Sequence, residues 1–355
     1  MALINTYAIW NNKGGVGKST ITFHLATRYA ERHPDRKVLV VDLCPQANAS
    51  MTLLGGGPQS EDRVLELCQQ ATPRTVVGYL ATVLTQGPGA PTPNTDDFVV
   101  QLSTQNEHLP ENLWLLSGDG NLEPMAPLIS QRASLVALIP GVDQWVWVHQ
   151  TIRRFIERAT DDDQEDWLVL VDTNPSFSIY TEIAISSVDR LIVPVNADDA
   201  SRVATTAMFT LIYGANPPHP IYGQYTYAAR AAAANLVRPN VHLIVGNRLT
   251  QYLGAAAAFG AISDATANSL FAAYQNNPGR FTPAAGPVND IAQFRNEYSI
   301  PLRDFNTAGV VAAHLGMPLS QLENGYYQVH GTEVQVNAAR AEECLAAIDE
   351  VVDKL

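Results

Sequence analysis

Apolar residues in this chain fall in short unbroken blocks, with helical stretches between them. The blocks are Ala2 to Trp10, Lys37 to Leu43 (KVLVVDL), Trp167 to Asp172 (WLVLVD), Arg190 to Val195 (RLIVPV) and Val241 to Gly246 (VHLIVG). A strand with one wet face alternates polar and apolar positions, whereas a strand covered on both faces does not. Each block therefore predicts a doubly covered strand. A glycine cluster follows the first block, and Ser19 to Ala30 then sets Ile21, Leu25, Ala26 and Tyr29 at helical spacing. Strands alternating with helices predict an α/β fold, a doubly wound and mostly parallel sheet flanked by helices.

Gln86 to Asp97 (QGPGAPTPNTDD) and Asn216 to Gly223 are rich in Gly, Pro or Asn and read as surface loops. Both lie between core strands. One domain over 1–355 is therefore expected, with insertions at about 55–166 and 216–240. The alanine-rich run Ala228 to Ala234 reads as helix. A further helix is expected over about 336–355, with Ala339, Leu345, Ile348, Val352 and Leu355 inward and Glu342, Asp349, Glu350 and Asp353 outward.

Composition narrows the classes. The chain has 355 residues, of which 46% are hydrophobic, enough for a large core. Net charge is -13, so long-range fields do not draw it to nucleic acid or anionic lipid, and any such contact needs a local basic patch. Cys44, Cys68 and Cys344 are far apart and form no C-x-x-C pair, which argues against disulfide, zinc and iron–sulfur frameworks. The start of the chain lacks a signal-peptide pattern, and no stretch reaches the ~20 apolar residues of a membrane span. A cytoplasmic protein is expected.

The chemistry is concentrated in Lys13 to Thr20 (KGGVGKST). Gly17, Lys18 and Ser19 match the end of the phosphate-loop pattern G-x-x-x-x-G-K-[ST], while Asn12 stands at the position of its first Gly. Gly14, Gly15, Val16 and Gly17, between a strand and a helix, let backbone N–H groups turn inward around a phosphate. The start of the following helix adds its partial positive charge. Lys18 is placed to reach the β- and γ-phosphates of ATP, Ser19 to ligate Mg²⁺, and Thr20 to join the same turn. Asp172 ends a buried strand and suits the carboxylate that holds Mg²⁺ through water. Asp42 ends another strand in the same way.

Lys13 is left over by that mechanism. A second lysine at the start of the loop marks the deviant Walker A ATPases, and the chain resembles the ParA/MinD family, closest to ParA (Soj)-type partition ATPases. The stretches NNKGGVGKST, KVLVVDLCPQANAS, WLVLVDTNPSFS and RLIVPVNADDASR carry the resemblance, with a weaker echo in IPLRDFNTAGVVAAHLGMPL. The resemblance implies that two copies sandwich two ATP molecules and that Lys13 crosses to the partner's nucleotide. In the family pattern D-x-D-P-Q the first Asp supports Mg²⁺ and the second positions the attacking water. Here Asp42 is kept but Cys44 replaces the second Asp. A neutral thiol is a poor acceptor, which implies slow hydrolysis, with Asn12, Gln46 or Asn48 as substitutes, or a switch with little turnover. The resemblance also implies that Asn247 reads the adenine edge and that Pro301 and Asp304 contact the base.

Two functions follow. One is an ATPase for DNA partition or cargo positioning: an ATP-dependent homodimer that binds DNA without sequence preference and answers to a ParB-like or adaptor protein. Arg202, Arg230, Arg238, Arg248, Arg280, Arg295 and Arg303 are its candidate phosphate contacts, the alternative for each being an ordinary ion pair. The other is an ATP-gated scaffold that recruits a protein and never touches DNA. MinD-like membrane targeting is disfavoured because the C-terminal helix is acidic.

Overall fold

The computed structural model describes residues 4–136, 139–161, 165–214, 219–247, 256–302 and 304–355. Its strands are β1 (Ile4–Ile9), β2 (Lys37–Leu43), β3 (Val100–Gln101), β4 (Leu113–Leu116), β5 (Trp167–Thr173), β6 (Arg190–Asn196), β7 (Asn240–Asn247) and β8 (Ser299–Pro301). Among the described residues they form one sheet in the order β3-β4-β2-β5-β1-β6-β7-β8. Every pairing is parallel except β3 with β4. A separate hairpin pairs β9 (Gly325–Val329) with β10 (Thr332–Val336).

The unbroken apolar runs have the reason expected of them. Consecutive side chains point to opposite faces, and both faces are covered. Tyr7 and Ile9 of β1 join Val38, Val40, Leu168 and Leu170 in one core, closed by helices Lys18–Arg32, Asn306–Leu315 and Ala338–Val352. Ala8, Trp10, Leu39, Val41, Val169 and Val171 face the other core, closed by helices Val76–Gln86, Leu122–Ser134, Ile179–Ser186 and Asp199–Tyr213.

The strands predicted from the apolar blocks are present: Lys37–Leu43 matches end to end, the other described ends agree or differ by one residue, and the predicted start at Ala2 lies outside the described residues. β3, β4 and β8 were not predicted, because two to four residues carry too little periodicity to read. β3 and β4 lie inside the range 55–166 and extend the central sheet. Within 216–240, the helix Tyr227–Ala233 covers most of the predicted alanine-rich helix.

The C-terminal helix runs from Ala338 to Val352, and Val336 instead ends β10. Its inward face is rotated from the expected one: Ala341, Cys344, Ala347, Ile348, Val351 and Val352 are buried, Ala339 is exposed, and Leu345 and Leu355 are half-buried. Arg28 on helix Lys18–Arg32 holds both carboxylate oxygens of Asp349 at 2.7 and 2.9 Å, so Asp349 faces a neighbouring helix rather than solvent alone.

A contact near the strand ends depends on glycine. Gly55, Gly56 and Gly57 have φ of 111°, 61° and 61°, in the left-handed region that L side chains avoid. A Cβ on Gly56 would lie 2.3 Å from the Ala313 carbonyl oxygen and 2.6 Å from that of His314. The loop is thus pressed onto the end of helix Asn306–Leu315, which Gly316 terminates at φ 58°. Gly56→Ala is expected to lower stability by about 1–3 kcal/mol, from backbone strain and the clash. Urea unfolding monitored by circular dichroism measures it, and an unchanged midpoint would refute the packing described.

Candidate phosphate-binding site

The phosphate loop joins β1 to helix Lys18–Arg32. Gly15 and Gly17 take φ of 71° and 84°, and a Cβ on Gly14 or Gly15 would meet nothing within 4 Å. No side chain caps the helix and its first turn carries no acidic residue. An uncapped start with exposed glycines ahead of it suits an anion held by backbone N–H groups. Val16 is fully buried and anchors the loop from below, while Thr20 is half-buried in the first turn.

Lys18 is 7% exposed and curls back over the loop, where its Nζ donates to the carbonyls of Asn11 (3.3 Å) and Lys13 (3.2 Å). Burial lowers its pKa, partly offset by Asp172 and Cys44. An ammonium held by two carbonyls is preorganised for a stronger acceptor such as a phosphate oxygen.

Asp172, at the C-terminal end of β5, is fully buried. It accepts from the hydroxyls of Ser19 (2.7 Å) and Thr22 (3.0 Å). Burial, and then the neighbouring Asp42, push its carboxyl up to about 7. Oxygen donors on a serine and a carboxylate fit a hard cation such as Mg²⁺. The hydroxyl of Thr22, one helical turn beyond Lys18, was not anticipated from the sequence.

Asp42 has the same strand-end position but different company. One oxygen accepts from the Cys44 amide (3.0 Å), the other from the Ser50 amide (3.0 Å) and hydroxyl (2.7 Å). Burial raises its pKa, and the Ser50 and Cys44 hydrogen bonds oppose the rise. Its oxygens fasten the segment that follows β2. The Cys44 thiol is 4% exposed, and burial, with Asp42 and Asp172 adding to it, pushes its pKa up to about 12. It is a neutral thiol at physiological pH. Gln46 and Asn48 are exposed and hydrogen-bonded to each other at 3.1 Å.

Lys13 does not point away from the chain. Its Nζ pairs with the Asp198 carboxylate and lies 3.4 Å from the Ser201 hydroxyl. Asp198 also caps helix Asp199–Tyr213 through the Ser201 amide at 2.7 Å. The sequence signal for this role is the capping spacing Asp198-x-x-Ser201, which the apolar pattern does not bring out.

On the side expected for the base, Pro301 lines a cleft of about 610 Å³ together with Asn196, Gly246 and Thr266. The buried Thr266 hydroxyl and the side-chain amide oxygen of Asn196 have no hydrogen-bond partner among the described residues. Asp304 accepts from the Asn306 amide at 3.1 Å, at the start of helix Asn306–Leu315. The side chain of Asn247 lies outside the described residues, as do Arg248 and Arg303. The remaining arginines do not form one open cluster. Arg230 lies over Trp145 at 4.9 Å, Arg238 and Arg280 lie over Tyr213 at 6.0 and 5.3 Å, and Arg295 pairs with Asp264 at 2.5 Å. Arg202 is exposed beside Asn12, across a shallow groove. No group of three or more His, Cys, Asp or Glu among the described residues is placed to hold a metal, and no helix among them is long and apolar enough to cross a membrane.

A parallel sheet with a glycine loop, a lysine and a serine at the end of its first strand and a carboxylate at the end of the adjacent one defines a P-loop nucleotide-binding domain. A family model described as the CobQ/CobB/MinD/ParA nucleotide binding domain matches residues 7–353, and the chain belongs to that family. Its fold is shared with solved structures of low identity. Apo McdA from Cyanothece is 14% identical, covers 98% of each chain and gives a TM-score of 0.57. A single-substitution variant of Cyanothece McdA, solved as an ATP complex, is 13% identical over 99% of this chain and 98% of its own, with a TM-score of 0.58. The ParA of pNOB8 is 15% identical over 84% and 81%, with a TM-score of 0.52. No curated protein sequence matches.

A buried acid with a raised pKa contributes stability below its unfolded value near 4, and loses it as pH climbs through the folded value. For Asp172 the window runs from about 4 to about 7. Asp172→Asn is therefore expected to raise the Tm of the nucleotide-free chain at pH 8 and to have little effect at pH 4, while weakening Mg²⁺-dependent nucleotide uptake. Thermal melts across pH and calorimetry with MgATP check both halves. A lower Tm at pH 8 would show that the hydroxyl bonds outweigh desolvation.

Proposed function

We propose that this protein binds ATP with Mg²⁺ and works as a nucleotide-gated dimer in partition or cargo positioning. One observation carries the reading: an uncapped glycine loop that holds two lysines, with Ser19 and Thr22 bonded to Asp172 beside it. Backbone amides of Gly14 to Ser19 and the Lys18 ammonium hold the phosphate tail, Ser19 and Asp172 hold the cation, and Lys13 serves the nucleotide of a second copy. Mg²⁺ supplies neutralisation of the phosphate charge. The loop groups provide positioning and electrostatic stabilisation, which supply most of the catalysis in phosphoryl transfer. Asn247, Pro301 and Asp304 are assigned to the base. That the McdA variant was solved as an ATP complex supports the same ligand here.

Hydrolysis is slow in this reading, because the neutral Cys44 thiol stands where the family pattern has a carboxylate. Cys44→Asp is expected to raise turnover about a hundredfold, at the low end of what a positioned proton acceptor contributes. Phosphate release at saturating MgATP measures it, and equal rates would assign water positioning to another group. Lys18→Ala is expected to abolish uptake in calorimetry. Retained uptake would overturn the nucleotide reading itself.

The scaffold alternative has an observation in its favour. Arg230, Arg238 and Arg280 lie against aromatic rings and Arg295 is paired, in a chain of net charge -13. Partition through non-specific DNA binding predicts an ATP-dependent shift of random duplex DNA that weakens steeply with salt. No shift at about 50 mM salt, with an ATP-dependent dimer present, would favour recruitment of a protein partner instead.

A further inference from the structure

Asp198 carries two loads at once. One carboxylate oxygen accepts the Ser201 amide at 2.7 Å and so caps helix Asp199–Tyr213. The other meets the Lys13 ammonium. The buried Ser201 hydroxyl completes the cluster: it lies 3.4 Å from the Lys13 Nζ and accepts the Asn196 amide at 3.1 Å. Lys13 and Asp198 lie 185 residues apart in sequence, on the loops after two adjacent strands, β1 and β6. The contact is therefore made by the sheet order rather than by local chain geometry. The paired side chains are 22% and 41% exposed, so the pair is reachable and can be broken without unfolding.

We propose that Asp198 is the positioning residue for Lys13: it parks the lysine on its own chain, and the second copy's nucleotide must displace this carboxylate to recruit it. The inference rests on the reading of Lys13 as a group that acts across a dimer. A phosphate tail of high negative charge outcompetes a single carboxylate for the same ammonium, whereas a diphosphate, with less charge and no γ-phosphate near the interface, does so less well. Asp198 thereby sets the nucleotide level at which copies pair. Because its other oxygen begins helix Asp199–Tyr213, release of Lys13 also changes the load on that helix start. The face beginning at Arg202 and Val203, beside Asn12, then senses which state the lysine is in.

The variant that separates this role from capping is Asp198→Asn. Asparagine caps a helix as well as aspartate but carries no charge for Lys13. Asp198→Ser is the second capping control, with a side chain too short to reach the lysine. Two measurements are made on the full chain. In the nucleotide-free protein, acylation of Lys13 by a water-soluble acetylating reagent, read by peptide mass spectrometry, is expected to be several-fold faster in Asp198→Asn. In light scattering against an ATP titration, the midpoint for dimer formation is expected to fall several-fold in both variants, with unchanged thermal melting. Unchanged acylation would overturn the parked state. Faster acylation with an unmoved ATP midpoint would leave the contact but overturn its control of pairing. If the unsubstituted chain binds ATP but stays monomeric, the dimer reading fails rather than the parked lysine, which the acylation rate reports alone.

Discussion

The site depends on one expensive placement, a carboxylate fully buried at the end of a central strand. Asp172 loses its hydration and, among the described residues, regains two hydroxyl bonds, from Ser19 and Thr22. An isolated buried carboxylate is unfavourable, and a cation or a proton relieves it. The sheet makes the placement possible. β5 lies between β2 and β1, in the middle of eight strands, so its end opens onto the phosphate loop on one side and onto the Asp42 segment on the other. The site so placed is costly to the fold, which is the reverse of a merely stable core.

The two strand-end aspartates show how similar sequence positions diverge. Asp42 and Asp172 are paired in register across β2 and β5. Asp42 is saturated by the chain that follows it, through Cys44 and Ser50, and has become a fastener. Asp172 bonds only to side-chain hydroxyls of the helix after the loop, groups able to rotate toward a ligand. The neutral Cys44 near them removes a third negative charge from an already crowded place. Two buried carboxylates and a carboxylate at 44 would need more compensation than Lys18 provides, so the cysteine eases the free chain while withdrawing the acceptor that the family pattern puts there.

The fold class and the phosphate loop were legible because each is written in contiguous residues. Continuous apolar runs require covering on both faces, and Gly14 to Ser19 needs only its neighbours to be understood. What escaped the sequence depends on contacts between distant segments. β3 and β8 are too short to show a period. Asp349 on helix Ala338–Val352 pairs with Arg28, a contact no helical wheel contains. The orientation of Lys13 depends on Asp198, and these are neighbours only because β1 lies beside β6. The arginines looked like surface charges in the sequence; the rings beneath several of them emerge only once the helices are packed.

The clasp between Arg28 and Asp349 has a consequence for biosynthesis. The helix that begins at the phosphate loop finds this partner 321 residues later in the chain. Contacts of such separation form late and slow a fold. While the ribosome is still translating the intervening strands, that helix lacks one of its covering layers. The surface of helix Lys18–Arg32 that meets helix Ala338–Val352 therefore stays open to solvent until the last described residues have been made.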